Sequence, residues 1–271
     1  MTEEQAPEAP RRSSPWRWIL IGFAVALTIT WLALTPSGLL GKAQAVGYSV
    51  CHQIDIRSFH IHGRSFPLCA RCSGTFLGAL LGMLFQAVQG KKGKMPSIGA
   101  SLVFALFALA WVLDGVNSFA MLTPMLPSLY QTQNWTRLVT GMGMGLALAA
   151  FLWPAFVQTM FRQWRDLSPV SSWQQLLLLV GLAGALAGLV WLEIAWVLYP
   201  LALLSAFSVI MLLTMVYSMV LVMIFKRENT FNRLRELLIP LISGYVIALI
   251  QIGVISVVRF IMTGTWGGFT L

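Results

Sequence analysis

The chain has 271 residues, of which 58% are hydrophobic and only 10% are charged, whereas soluble domains carry about 25% charged residues. This composition excludes a soluble globular protein and indicates a membrane protein. The net charge of +9 does not predict nucleic-acid binding, because the Lys and Arg residues stand between apolar runs, where they indicate membrane orientation and attraction to anionic lipid.

Residues 1–15 contain three prolines and three glutamates and are predicted to form a disordered N-terminal tail. Seven apolar runs follow, each long enough or nearly so to cross a hydrocarbon core that needs about 20 residues. Because a lipid-exposed backbone must satisfy its own hydrogen bonds, these runs are predicted to be helices. We therefore expect an all-α, polytopic transmembrane bundle of about seven spans: 18–39, 69–88, 98–116, 136–160, 174–198, 199–225 and 237–262.

The distribution of Lys and Arg predicts the orientation. Most of these residues lie in the N-terminal tail and in the short basic connections GKKGKMPS, RQWRDLSPVSSW and KRENTFNRLRE. By the positive-inside rule this places the N-terminus in the cytoplasm and the C-terminus outside. The protein is then expected in the cell membrane, with a four-helix front half (16–160) that carries an extracytoplasmic Cys/His loop (37–72), and a three-helix back half (161–271).

The chain's three cysteines and three histidines all fall in this loop and at the start of the second span. Thiolate and imidazole groups bind zinc or iron, and thiolates also carry out disulfide chemistry. We expect the function of the protein to depend on this group, which consists of Cys51, His52, His60, His62, Cys69 and Cys72.

The local pattern predicts how the loop folds. Alternation of apolar and polar residues over 59–66 indicates a small hairpin with His62-Gly63 at its tip. Pro67 fits just outside the second helix or in its first turn, which the Cys69–Cys72 pair would occupy. Thiols at a helix N-terminus have a lowered pKa, because the exposed amides favour the thiolate.

Three explanations for the thiols remain open. Cys51, Cys69, Cys72 and His52 can form a Cys₃His zinc site. Alternatively, Cys69 and Cys72 form the dithiol of a membrane thiol–disulfide oxidoreductase that passes electrons to a quinone. The third is a structural disulfide with one thiol left over in a non-enzymatic protein. The odd number of thiols favours the metal. His60 and His62 are interpreted as solvated hairpin residues, because the other four already supply a complete ligand set.

Charged residues near the outer ends of spans are candidate site residues, since an ionised group inside a membrane needs a partner or a wet cavity. Asp114 is expected to pair with Arg137 or Arg71, and we predict the contact with Arg137. Together these three would meet an anionic group, as candidate catalytic or binding residues. Glu193 is predicted to lie in the outer part of the fifth span, where it would either form a hydrogen bond between helices or act as a functional group.

Small residues at four-residue spacing predict where helices approach closely. They occur on the second, fourth and fifth spans, at Gly74, Gly78, Gly82, Gly141, Gly145, Gly181, Gly184 and Gly188.

The segment of about residues 46–148 resembles the prokaryotic membrane-protein family known as domain of unknown function 2085. The matching pattern is a Cys-His pair, an Arg-Ser-Phe element, Pro-x-Cys-x-Arg-Cys-Ser-Gly, an Asp-Gly pair and Asn-x-x-Arg-x-x-Thr-Gly. In this chain these are Cys51, His52, Arg57, Ser58, Phe59, Pro67, Cys69, Arg71, Cys72, Gly74, Asp114, Gly115, Asn134, Arg137, Thr140 and Gly141. The resemblance implies that the cysteines, Asp114 and Arg137 act together, and it implies no activity. His60, His62 and Glu193 have no counterpart in it.

The sequence thus predicts a Cys₃His zinc site on the outer face. The site would either brace the loop or act on an anionic group such as a lipid phosphate, with Arg71, Asp114 and Arg137 as an ionic layer around it.

Overall fold

A computed structural model of the protein describes residues 15–121 and 127–269. The predicted tail lies outside this part, apart from Pro15. The described part contains eight α-helices, one two-stranded hairpin and two short 3₁₀ turns at Asp55–Arg57 and Leu234–Leu237. The helices are α1 Pro15–Leu34, α2 Leu39–Val50, α3 Ala70–Ala87, α4 Ile98–Ala120, α5 Asn134–Met160, α6 Trp173–Trp191, α7 Ala195–Ile224 and α8 Leu238–Thr263, and the hairpin strands are β1 His60–Ile61 and β2 Arg64–Ser65.

Six of these helices are long and apolar enough to cross a membrane: α1, α4, α5, α6, α7 and α8. This confirms the polytopic helical fold. Helix α3 is not among the six, but it runs parallel to α5 along much of its length. Near its start Gly74 packs against Leu138, and near its end the Gln86 Nε2 donates to the Ala149 carbonyl. Helix α3 thus lies alongside a candidate spanning helix, and its lower apolarity accords with packing against protein rather than lipid. That it forms a seventh span stays a prediction.

Glycines bring α3 and α5 into backbone contact, as predicted. A Cβ atom added to Gly74 would lie 2.2 Å from the Leu138 carbonyl oxygen, and one added to Gly145 would lie 2.1 Å from that of Thr75. The prediction for the fifth span is wrong, because a Cβ atom on Gly181, Gly184 or Gly188 of α6 would meet nothing within 4 Å.

Helix α2 lies in the segment predicted to be a loop. It is too short to span a membrane, so it lacks the long apolar run that indicates a span in the sequence. Its buried face packs against α7 and α8, and it ends at Cys51, which caps it. The predicted hairpin is confirmed, with His60 paired to Ser65 and Ile61 to Arg64.

The boundary between the fifth and sixth spans was predicted wrongly. The helices are separated at 192–194 rather than between Leu198 and Tyr199. Glu193 therefore lies in an exposed turn with φ +50°, not inside a span. The apolar run continues through both helices, so hydropathy alone does not locate the turn.

Candidate functional site

The three cysteines converge at one end of the bundle. Cys51 caps α2, Cys69 caps the N-terminus of α3, and Cys72 lies in the first turn of α3. Their sulfur atoms all lie within 4.8 Å of one another. All three are free thiols, with Cys51 and Cys69 buried and Cys72 half-buried. The structure therefore brings together the three cysteines, as predicted from the sequence. Their sulfurs are soft metal donors that come from two separate segments, the end of α2 and the start of α3.

Gln53 holds the two segments together. Its Nε2 donates to the Gln44 carbonyl at 3.0 Å and to the Pro67 carbonyl at 2.7 Å. Its φ of +51° turns the chain sharply after α2. Gly47 allows the approach, because a Cβ atom there would lie 1.9 Å from the Pro67 carbonyl oxygen. Together these contacts place the end of α2 directly against the start of α3.

The Cys51 sulfur accepts two backbone hydrogen bonds. The amide of Gln53 donates to it at 3.4 Å, and that of Cys69 donates at 3.3 Å. Hydrogen bonds of this kind stabilise negative charge on sulfur, and groups that orient metal ligands commonly provide them.

The three thiols share their protons unequally. The Cys51 thiol donates a hydrogen bond to the Cys69 sulfur, which raises the pKa of Cys51 to about 12 and holds the pKa of Cys69 well below its usual range. The Cys72 thiol also donates to Cys69 and lowers that pKa further. Of the three sulfurs, that of Cys69, just before the first turn of α3, is therefore the one whose surroundings most favour the thiolate.

The histidines divide into two groups. His52 lies close enough to the Cys69 side chain to help lower its pKa, and its Nδ1 accepts a hydrogen bond from the Ile54 amide at 3.2 Å. It borders the three sulfurs without lying among them. His60 instead contacts the Asp55 carboxylate at 3.0 Å, and His62 is exposed at the hairpin tip. Neither joins the thiols, in line with their interpretation as hairpin residues.

Asp114 pairs with Arg71 rather than Arg137. The Arg71 Nε donates to Asp114 Oδ2 at 3.1 Å, and its Nη2 donates to the same oxygen and, at 3.0 Å, to the Asp114 carbonyl. The Tyr130 hydroxyl donates to Oδ1 at 2.8 Å. Of the two pairings expected from the sequence, the predicted contact with Arg137 is therefore wrong.

Arg137 is buried among neutral acceptors. Its guanidinium donates to Thr132 Oγ1 at 2.6 Å, to Asn134 Oδ1 at 3.0 Å and to Ser118 Oγ at 3.4 Å. Asn134 and Thr132 lie at and just before the N-terminus of α5, so the helix that carries Arg137 also positions most of its acceptors. Sequence spacing does not reveal this preference, because it depends on the path of residues 127–133.

Arg57 also lies at this site, although it was not predicted to be a site residue. Its Nη2 donates to the Ser118 carbonyl at 3.1 Å, and the side chain is buried. Ser118 therefore accepts a hydrogen bond from Arg57 at its carbonyl oxygen and one from Arg137 at its hydroxyl oxygen. The signal that could have identified Arg57 is its place in the Arg-Ser-Phe element of the family resemblance.

Arg259 of α8 holds the other side of the cysteine loop. Its Nη1 donates to the Tyr48 and Cys51 carbonyls, both at 2.6 Å, and its Nη2 donates to the His52 carbonyl at 3.1 Å. The guanidinium also stacks on the rings of Tyr48 and Phe269. No sequence pattern indicated this role, because Arg259 lies more than 200 residues along the chain from the carbonyls it binds.

Comparison with known proteins places the site inside a recognisable segment. The model of a family described as "predicted membrane protein (DUF2085)" matches residues 51–151. The uncharacterized protein MJ1492 of Methanocaldococcus jannaschii is 31% identical over 123 residues, which are 45% of this chain and 72% of the relative. An uncharacterized protein of Methanothermobacter thermautotrophicus is 28% identical over 100 residues, 37% of this chain and 81% of the relative. No solved structure matches.

Proposed function

We propose that this chain, which belongs to the DUF2085 family of predicted membrane proteins and is itself a multi-pass protein of the cell membrane, binds one zinc ion on its outer face. The ligands would be Cys51, Cys69, Cys72 and His52. The observation that carries the proposal is the convergence of three sulfurs from two segments within 4.8 Å.

The donor set fits zinc chemically. Zn–S bonds of about 2.3 Å in a tetrahedral site place sulfurs about 4 Å apart, which is compatible with the observed grouping. His52 borders the trio at Cys69, so it is the nearest imidazole available as a fourth ligand. Four protein ligands make a closed site, which is typical of structural zinc.

Burial favours zinc over thiol–disulfide exchange. Exchange requires a thiolate that a partner can reach, whereas Cys51 and Cys69 are buried and Cys72 is only half-buried. A structural disulfide would leave one of the three thiols unpaired in an extracytoplasmic compartment, which simple pairing does not explain.

The zinc would brace the loop above the charged residues. It would connect the end of α2 to the start of α3, and the loop between them carries Arg57. The outer end of the bundle would thus hold cationic side chains in fixed positions, suited to an anionic group at the membrane surface.

Metal analysis of the purified full-length protein tests the proposal. We expect about one equivalent of zinc, because a Cys₃His site holds a single ion. Cys51→Ser, Cys69→Ser and Cys72→Ser should each remove the zinc and lower the unfolding temperature, since structural zinc contributes folding free energy. His52→Ala should weaken retention against a chelator.

His60→Ala and His62→Ala are matched controls, because these histidines lie in the same loop but away from the sulfurs. Both variants should retain the metal. Zinc-free wild-type protein of full thermal stability, with a Cys69–Cys72 disulfide in a free-thiol count, would exclude the zinc site and favour the oxidoreductase with a quinone as electron acceptor.

A further inference from the structure

We infer that Arg57, Arg71 and Arg137, here called the arginine cluster, bind one phosphate group, carried by a lipid headgroup or by free phosphate. The inference rests on the proposed zinc site in one respect, namely that the braced loop holds Arg57 in place.

The arginine cluster brings three positive charges together from three different elements. Arg57 comes from the outer loop, Arg71 from α3 and Arg137 from α5. Arg57 and Arg137 both donate hydrogen bonds to Ser118, and Arg71 donates to Asp114, one helical turn earlier in α4. Like charges gathered in a poorly solvated site repel each other unless an anion compensates them.

The residues that the structure describes supply too little negative charge at the cluster. Asp114 is the carboxylate in contact with the cluster, and it is already bonded to Arg71. A zinc ion with three thiolates and a neutral imidazole would add one further negative charge, at Cys69 and its neighbours. Three guanidinium groups would then face two negative charges, so at least one positive charge still lacks a partner. A phosphate mono- or diester supplies the missing charge.

The cluster also has unused hydrogen-bond donors. Arg137 is only 6% exposed, yet its buried Nε has no acceptor among the residues that the structure describes. Among the described residues, the Arg57 side chain makes one hydrogen bond, from Nη2 to the Ser118 carbonyl. Guanidinium groups match phosphate oxygens with paired N–H donors. The N-termini of α3 and α5, which begin at this end of the bundle, add favourable partial charge.

The surroundings suit a group presented from the membrane. Ile56 and Leu129 are 72% and 89% exposed and Trp135 is 47% exposed. Each is next to the cluster or to one of its partners. Ile56 precedes Arg57 in sequence, the Leu129 amide donates to Asn117 beside Ser118, and Trp135 follows Asn134, which binds Arg137. Exposed apolar and aromatic side chains of this kind are typical of the lipid–water interface, where lipid headgroups lie.

Titration of purified full-length protein tests the inference with two probes, inorganic phosphate and dioctanoyl phosphatidylglycerol. Arg57→Gln should weaken binding about ten- to a hundredfold, the equivalent of losing one charge-assisted hydrogen-bonding group. Arg64→Gln is the matched control, because Arg64 is an exposed arginine on the hairpin of the same loop, and it should bind as the wild type does. Tighter binding of the lipid identifies a headgroup as the source, and equal affinity for both identifies the phosphate group alone.

Zinc content is measured on the same samples. Zinc-loaded wild-type protein that binds neither probe overturns the phosphate site and leaves the zinc proposal standing. Zinc-free protein that binds a probe and loses binding in Arg57→Gln overturns the zinc proposal alone. Because the wild-type titration needs no variant, a failure of Arg57→Gln to fold does not remove the test. Equal binding by folded Arg57→Gln and wild type also overturns the inference.

Discussion

Among single residues, Asp114 has the most complete set of partners in the site. Its carboxylate is 1% exposed and accepts hydrogen bonds from Arg71, Tyr130 and, at 3.5 Å, Thr140. A buried charge is tolerated only when it is paired and hydrogen-bonded, and Asp114 meets both conditions. Its pairing with Arg71 also connects α4 to the first turn of α3, which carries Cys72.

The first prediction concerns this pair. Asp114→Asn and Arg71→Gln should each lower the free energy of unfolding by about 3–5 kcal/mol, because each leaves a buried charge without its partner. The double variant should lose less than the sum, since contacting residues are energetically coupled. Denaturant unfolding of the purified proteins measures all four corners of the cycle.

Asp114→Asn combined with Arg137→Gln serves as the control cycle, because Arg137 hydrogen-bonds to Thr132, Asn134 and Ser118 instead. Its coupling should be clearly smaller. Strict additivity in the Asp114–Arg71 cycle would contradict the ion pair.

At the scale of elements, the contact of α3 with α5 positions the site. The two helices approach through glycines, so the backbone of α3 at Arg71 lies against α5 at Gly141, where a Cβ atom would be 2.2 Å from the Arg71 carbonyl oxygen. This contact fixes Arg71 and Cys72 relative to Arg137. Helix α8 adds a second constraint, because Arg259 binds the carbonyls at the end of α2.

The second prediction uses this contact. Gly141→Leu should destabilise the protein by at least 1–3 kcal/mol, the typical cost of overpacking, because the leucine must push α3 away. It should also reduce zinc retention if the proposed site exists, since Cys72 moves with α3. Gly184→Leu is the control, as a Cβ atom there meets nothing within 4 Å, and it should change stability by less than about 0.5 kcal/mol. Equal effects of the two substitutions on the unfolding midpoint would rule out the close helix contact.

On the scale of the whole molecule, the two ends of the bundle differ in chemistry. The basic connections gather at one end, where Lys92 and Arg165 form a backbone bridge and Lys91 donates to the Asn232 carbonyl. The cysteine trio lies at the opposite end, beside the start of α5 rather than its finish. By the positive-inside rule we therefore expect the thiols on the outer face.

The third prediction tests that orientation. An impermeant maleimide applied to intact cells should label His62→Cys, because the hairpin tip is exposed and is expected outside. It should spare Lys94→Cys, whose side chain is also exposed, at 57%, but is expected inside. Wild-type protein, with its largely buried thiols, gives the background. Labelling of the Lys94 variant alone would reverse the topology and move the site to a reducing compartment.

The sequence by itself determined the membrane class, most of the helices, the hairpin and the membership of the cysteine group. These features depend on local properties: apolar length, turn chemistry at His62-Gly63, and the helix start at Cys69. The glycines of α3 and α5 were likewise predicted to be contact sites, because only a residue without a side chain allows backbones so close.

Only the tertiary structure decided which charges meet and which helices close around the thiols. Asp114, Arg71 and Arg137 all lie near the same end of the bundle. Which arginine pairs with Asp114 therefore depends on how α3, α4 and α5 are rotated against one another. Helix α2 and Arg259 escaped prediction for a related reason: one is too short for a hydropathy signal, and the other acts on carbonyl groups brought near only by folding. Glu193 was wrongly placed inside a span, because the apolar sequence continues without a break through the turn that exposes it.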